Sequence, residues 1–225
     1  SLNAALERIK RNGSSSWIRT IAEHLQRMNL DTRLVLSNTI GLGPVDFETG
    51  EHLRAYGQYN HAKNRIRIFH GGENAYTVVH EAVHAATVGQ LAFAKAASRI
   101  PEHLRTPEMH AAAAHLVELR GLMAGLSKLD TSNQYAFTNE EEFVAEALSN
   151  AKFQQWLSRQ VFEEGINLPI GYLFRAGKIN ETLIEILRAN VRDPRAAEGD
   201  LYSLTACNKA GSDSLIAAMD EFSLD

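Results

Sequence analysis

The stretch His80-Glu81-Ala82-Val83-His84 decides how this chain of 225 residues is interpreted. Apolar residues recur around it at helical spacing, which predicts a helix of about four turns from near Asn74 to near Gly89. Two histidines that lie four residues apart share one face of such a helix, so both imidazoles can bind the same small cation. The stretch therefore predicts a metal site on a helix.

Glu81 could act as the general base of such a metal site. A catalytic zinc site has three protein ligands and a water molecule, and neutral imidazole is a good zinc ligand. A glutamate directly after the first histidine can reach the water and accept its proton during attack on a carbonyl. The pattern predicts Zn²⁺ held by His80 and His84, with Glu81 as general base. A surface helix with unrelated histidines is the alternative.

The third ligand must come from another segment. Within the run Asn139–Glu146, Glu142 and Glu146 are four residues apart and share a helical face. One could bind the metal while the other accepts the ring N–H of a ligand histidine. Glu118, which follows His115, is the rival supplier. The neighbouring Glu140 and Glu141 are interpreted as solvated residues of a first helical turn.

The residues before the motif predict a small sheet. Ala55–Asn60 and Arg65–Phe69 have the pattern of two antiparallel strands, and Leu34–Leu36 has that of a short buried strand. Gly41–Pro44 is interpreted as a loop. The strand residues Arg65, Ile66, Arg67 and Ile68 alternate charged and apolar side chains, which makes them a candidate edge for pairing with an extended substrate.

The second half of the chain is predicted to be mostly helical. Helices are expected at Met109–Leu126, after a cap at Thr138 or Asn139, at Asn180–Arg192 and at Ser214–Phe222. We expect residues 1–160 to form the metal-binding domain and residues 161–225 to form a helical extension packed on it. The fold class expected from this organisation is α+β, rich in helix.

Composition restricts the partners that we expect. The net charge is −4 and no basic run occurs, so nucleic acid is not an expected partner. No apolar stretch is long enough to span a membrane, and no signal peptide is visible. Cys207 is the single cysteine, which excludes a disulfide within the chain. The chain lacks a starting Met, so we expect part of a larger polypeptide, cytoplasmic or virion-associated.

The stretch Tyr135-Ala-Phe-Thr-Asn-Glu-Glu-Glu-Phe-Val-Ala-Glu-Ala147 resembles the second half of the anthrax lethal factor peptidase site. In both, the tyrosine precedes the ligand glutamate by seven residues. Val144 departs from the aromatic residue of that family. The resemblance implies a helix-rich zincin-like metallopeptidase fold with a small twisted sheet. The implied roles are zinc binding by His80, His84 and Glu142, general base catalysis by Glu81, an oxyanion hydrogen bond from Tyr135, and a hydrogen bond from a ligand histidine to Glu146.

Three functional hypotheses follow. The first is a zinc endopeptidase acting on a protein or peptide substrate. The second is a non-catalytic binding domain of a larger phage or mobile-element protein, in which the metal only holds helices together. Glu81 argues against the second, because a purely structural site favours four closed ligands and has no use for a base. The third is a metal-dependent amidase or another hydrolase of a non-peptide bond.

Overall fold

Helices dominate the described part of the fold, and its strands form a small three-stranded mixed sheet and a separate two-stranded sheet. The computed structural model describes residues 1–46, 49–129 and 133–158. In these ranges the helices are α1 (Leu2–Asn12), α2 (Ser16–Arg27), α3 (Ala75–Arg99), α4 (Pro107–Leu126), α5 (Glu140–Ser149) and α6 (Ala151–Ser158). The strands are β1 (Arg33–Leu36), β2 (Gly41–Val45), β3 (His52–Ala55), β4 (Gly57–Asn60) and β5 (Arg65–Ile68). This architecture confirms the predicted helix-rich α+β class.

The chain divides into two compact units, Ser1–Ala86 and a unit that starts at Thr87. Helix α3 is continuous through this division. The first unit opens with α1 and α2, whose apolar faces are buried. The buried residues are Leu2, Leu6 and Ile9 in α1 and Ile18, Ile21, Ala22 and Leu25 in α2.

Strand β5 lies at the centre of a three-stranded sheet of order β1-β5-β4. It pairs in parallel with β1 and antiparallel with β4. The predicted hairpin is confirmed for Gly57–Asn60 and Arg65–Ile68, with a 3₁₀ turn at His61–Lys63 between β4 and β5. Ala55, predicted to lie in the first of these strands, belongs to β3 instead. The predicted edge at Arg65, Ile66, Arg67 and Ile68 is wrong, because both sides of β5 are already paired. An extended substrate cannot add to a strand whose backbone groups are satisfied on both sides.

Two further strand predictions need correction. Gly41–Pro44 is not a loop but belongs to β2, which pairs antiparallel with β3 and shifts register between Leu42 and Val45. Pro44 lies in this irregular segment, where a missing N–H is tolerated. The predicted buried strand at Leu34–Leu36 is instead half-exposed, because β1 is an outer strand of its sheet and Leu36 is 65% exposed.

Helix α3 begins where Asn74 accepts a hydrogen bond from the Thr77 backbone N–H at 2.9 Å. It ends at Arg99, ten residues beyond the predicted end at Gly89. A glycine inside a helix costs only about 1 kcal/mol, which tertiary burial can offset. Leu91, Ala94 and Ala97 are buried after the glycine and continue the helix.

The described part of the second unit is helical, as predicted. Thr106 caps α4 and Pro107 is its first residue. Asn139, one of the two predicted caps, is the N-cap of α5. The aromatic rings that hold the 3₁₀ turn Gln134–Phe137 against α5 and α6 have centroids 5.6 to 6.4 Å apart. These rings are Phe137, Phe143, Phe153 and Trp156.

Several predictions lie outside the described residues. They are the helices at Asn180–Arg192 and Ser214–Phe222, and the whole of the extension 161–225. The domain boundary near residue 160 stays a prediction. Among the described helices, none has the length and apolar character needed to cross a membrane.

Candidate metal centre

The two motif histidines face each other on α3. Their Nε2 atoms are 3.2 Å apart, and their ring planes meet at 75° with centroids 4.8 Å apart. His80 is buried, at 5% exposure, whereas His84 is half-buried. One helical turn separates the residues, so their rings lie on one face because of the helix period alone. Two ring nitrogens therefore point to the same small volume.

Glu142 of α5 completes a group of three ligand atoms. One atom each from His80, His84 and Glu142 lies within 4.8 Å of the others. The position of Glu142 follows from the helix cap, since the Asn139 side chain accepts the Glu142 backbone N–H at 2.8 Å. Glu118, the rival supplier, is not a member of this group. The structure thus selects one of the carboxylates that the sequence left open.

The histidine spacing fits a zinc site. Two nitrogens at 2.0–2.1 Å from a tetrahedral ion would be about 3.3 Å apart, close to the separation of the ring nitrogens. Two imidazoles and one carboxylate form a donor set found in catalytic zinc sites. His80, His84 and Glu142 are therefore a group that could bind a metal ion.

Glu81 follows His80 directly on α3 but is not a member of this group. Its side chain is buried, at 7% exposure, and it packs against β4 at Gly57. Sequence analysis did not identify Gly57. An isolated glycine within a strand pattern signals a close backbone approach, and that signal was present in the sequence.

A charge cluster links α5 to α3 and α4. Lys95 Nζ lies 2.7 Å from a Glu141 oxygen and 2.9 Å from a Glu140 oxygen. Arg120 Nε donates to the other Glu140 oxygen at 2.6 Å. The interpretation of Glu140 and Glu141 as solvated residues is therefore wrong. Their carboxylates pair with cations on two other helices, and local sequence does not specify these contacts.

The cluster shifts the pKa values of its members. Burial would raise the pKa of Glu140, but hydrogen bonds from Arg120 and Lys95 outweigh this effect and hold the pKa at about 2. Burial would lower the pKa of Lys95, but its hydrogen bonds to Glu141 and Glu140 outweigh burial and raise the pKa. Both ions are thus stabilised in their charged forms at neutral pH.

Glu146 and Tyr135 occupy contrasting environments. Glu146 is 4% exposed and accepts a hydrogen bond from Asn150 Nδ2 at 2.7 Å. Tyr135 lies in the 3₁₀ turn before α5 and is 57% exposed. The backbone carbonyl of Tyr135 accepts the Thr138 hydroxyl at 2.8 Å, which ties the turn to the start of α5. The predicted roles of both side chains stay predictions.

Comparison with known proteins gives one family match. Residues 154–225 match the family model described as Hydantoinase B/oxoprolinase. The match covers less than half of the chain and includes none of the metal-site residues. No curated protein matches the chain, and no solved structure matches it. The match relates the chain to a family of enzymes without establishing membership.

This match corrects the predicted identity. The expectation of an anthrax lethal factor-like peptidase is wrong, because the matching family is Hydantoinase B/oxoprolinase and not a zincin family. The same finding overturns the predicted zinc endopeptidase function and its phage or mobile-element alternative. Tyr135 and the run that follows it are thus a local likeness in motif, which does not by itself define a family.

Proposed function

We propose that this chain is a zinc-dependent hydrolase that cleaves an amide bond in a small molecule, with cyclic amides as its substrate class. The observation that carries the proposal is the convergence of His80, His84 and Glu142, on a helix where the buried Glu81 directly follows His80. The family match supports the choice of substrate, because hydantoin and oxoproline are both cyclic amides.

Metal binding and proton transfer would be carried out by different side chains. His80, His84 and Glu142 would hold the ion, which supplies Lewis acidity that polarises an amide carbonyl and makes water more acidic. Glu81 would accept a proton from the attacking water and return it to the leaving nitrogen. The low exposure of Glu81 supports this role, because a carboxyl group shielded from bulk water does not readily lose its proton to solvent.

Two further residues would support the reaction. Tyr135 would donate its hydroxyl proton to the oxyanion that forms when water adds to the carbonyl. Its exposed position before α5 leaves the side chain accessible to a substrate. Glu146 would accept the ring N–H of a ligand histidine and so fix the tautomer that binds metal.

The test is a zinc-content and ring-opening assay on the full chain. Hydantoin, 5-oxoproline and a linear N-acyl amide are supplied to the zinc-loaded protein and to protein treated with a chelator. We expect zinc-dependent ring opening by the wild type. Glu81→Gln should retain zinc but lose about 10²- to 10⁴-fold in rate, because the base is gone while the ligands remain. Glu142→Ala should lose most of its zinc, and Glu146→Gln should bind zinc about 10- to 100-fold more weakly.

Glu118→Gln is the matched control. It removes a carboxylate that is not part of the ligand group, so it should leave both zinc content and rate unchanged. The proposal fails if the zinc-loaded wild type opens no cyclic amide faster than the chelated protein does. It also fails if Glu81→Gln keeps the full rate.

A further inference from the structure

We infer that Gly57 is a positioning residue for Glu81: its lack of a side chain lets β4 lie against the glutamate and confine the carboxylate of this residue, which directly follows His80 on α3. This inference rests on the proposed function for its catalytic consequence. The contact itself is a property of the fold. It joins a strand residue to a glutamate 24 positions later, so the sequence does not show which segment Gly57 approaches.

The geometry leaves no room for a methyl group at this position. A Cβ atom at Gly57 would lie 2.7 Å from both Cγ and Oε1 of Glu81, and 2.7 Å from Cγ2 of Thr77. Non-bonded carbon atoms prefer separations of about 3.5–4.0 Å. The space that a side chain would take is therefore already occupied by the glutamate and the threonine of the next turn back.

Backbone conformation does not explain the glycine. Among the described glycines, positive φ angles occur at Gly50 and Gly71, and Gly57 is not one of them. An alanine could therefore adopt the backbone angles of position 57 without strain. What excludes the alanine is the approach of Glu81 and Thr77.

The surroundings determine which group would yield to a methyl group. Gly57 is held in register with the fully buried Ile68 of β5, and the Tyr56 carbonyl accepts the Phe69 N–H at 2.9 Å. Thr77 is held by two hydrogen bonds from its N–H and hydroxyl to Asn74 Oδ1. The Glu81 side chain has rotatable bonds and would be displaced first. Gly57 thus confines the Glu81 side chain, and a methyl group at this position would displace Glu81 rather than the metal ligands.

The first test is kinetic. Gly57→Ala should keep its zinc content and its KM but lose kcat by about 10- to 100-fold, since a misplacement of 1 Å can cost about 10²-fold in rate. Gly89→Ala is the matched control, because a Cβ there meets nothing within 4 Å. That variant should keep both kcat and zinc. Unchanged kcat in Gly57→Ala would overturn the inference, and so would a loss of zinc that parallels the loss of rate.

The second test needs neither metal nor activity. Urea unfolding of the metal-free protein is measured for Gly57→Ala, Glu81→Ala and the double variant. Glu81→Ala removes the clashing atoms, so Gly57→Ala should be less destabilising in that background than in the wild type. Equal destabilisation in both backgrounds would refute the contact. Failure of the wild type to hydrolyse any cyclic amide would instead refute the proposed function, and the unfolding cycle would still test the contact separately.

Discussion

Tyr135 differs from the other candidate site residues in how far its side chain is exposed. Its side chain is largely exposed, while its backbone is tied to the start of α5 through Thr138. A side chain exposed to this extent is accessible to a substrate. By contrast, His80 and Glu81 are buried polar groups, which are costly unless they are satisfied.

Removing the Tyr135 hydroxyl tests its role directly. Tyr135→Phe should lower kcat by about 10²- to 10³-fold, because a donor to the oxyanion stabilises only the transition state. Zinc content should be unchanged. The measurement is steady-state ring opening with metal analysis. Tyr59→Phe is the control, since that hydroxyl donates to Asn64 Oδ1 and should not alter kcat. A full rate in Tyr135→Phe would remove the residue from the mechanism.

Helix α5 carries Glu142, the carboxylate of the group that could bind a metal ion, and its first turn holds three consecutive glutamates. Negative charge at a helix N-terminus is favourable, but this turn has more specific partners in Lys95 and Arg120. The side chains of Lys95 and Glu140 are 27% and 12% exposed, so solvent screens their interaction only in part. The cluster holds the N-terminal end of α5 and with it the backbone of Glu142.

Breaking the cluster should cost stability. Lys95→Met should lower the free energy of unfolding at pH 7 by about 1–3 kcal/mol, the usual range for hydrogen bonds to charged groups. Urea unfolding of metal-free protein measures the change. Lys10→Met is the control with the same substitution, because Lys10 pairs with Glu7 and Glu23 at an exposed site. That variant should change stability by at most about 1 kcal/mol.

The pKa of Glu140 sets the pH window of this effect. In the folded protein the pKa of Glu140 is about 2, below its ordinary value of 4.5. The contribution of the charged Glu140 to the free energy of unfolding is therefore complete above pH 4.5 and is lost as the pH falls toward 2. The wild type and Lys95→Met should therefore converge in stability over this interval. A difference that stays constant down to pH 2 would contradict the assignment.

At the scale of the whole molecule, the metal group joins residues that are distant in sequence. His84 and Glu142 are separated by 58 positions, yet their ligand atoms converge. An unfolded chain rarely brings such residues together, so a metal ion bound by this group would couple its binding to folding. A ligand that binds only the folded chain stabilises it in proportion to the logarithm of its concentration.

Metal removal should therefore lower thermal stability. Zinc at 100 times its Kd should add about 2.7 kcal/mol to the free energy of unfolding, and a chelator should reverse the gain. Differential scanning calorimetry with and without zinc measures the shift in Tm. His84→Ala should lose most of the zinc-dependent shift, whereas His103→Ala, at an exposed site outside the ligand group, should keep it. An equal shift in both variants would argue against the assigned ligands.

The sequence by itself determined the features that depend on near neighbours. The shared face of His80 and His84, the cap at Asn139 and the hairpin between β4 and β5 follow from helix period, capping chemistry and turn length. The helix-rich α+β class follows from the same local patterns. These features can be predicted because each one depends on interactions between residues that are close in sequence.

Only the tertiary structure decided the features that depend on packing between distant segments. It placed Glu142, and not Glu118, in the group that could bind a metal ion, and it paired Glu140 with Lys95. It also placed β5 in the centre of its sheet and brought Gly57 against Glu81. The physical reason is that burial and pairing depend on which surfaces meet. A periodic pattern shows that a face will be buried, but it does not specify the segment that covers that face.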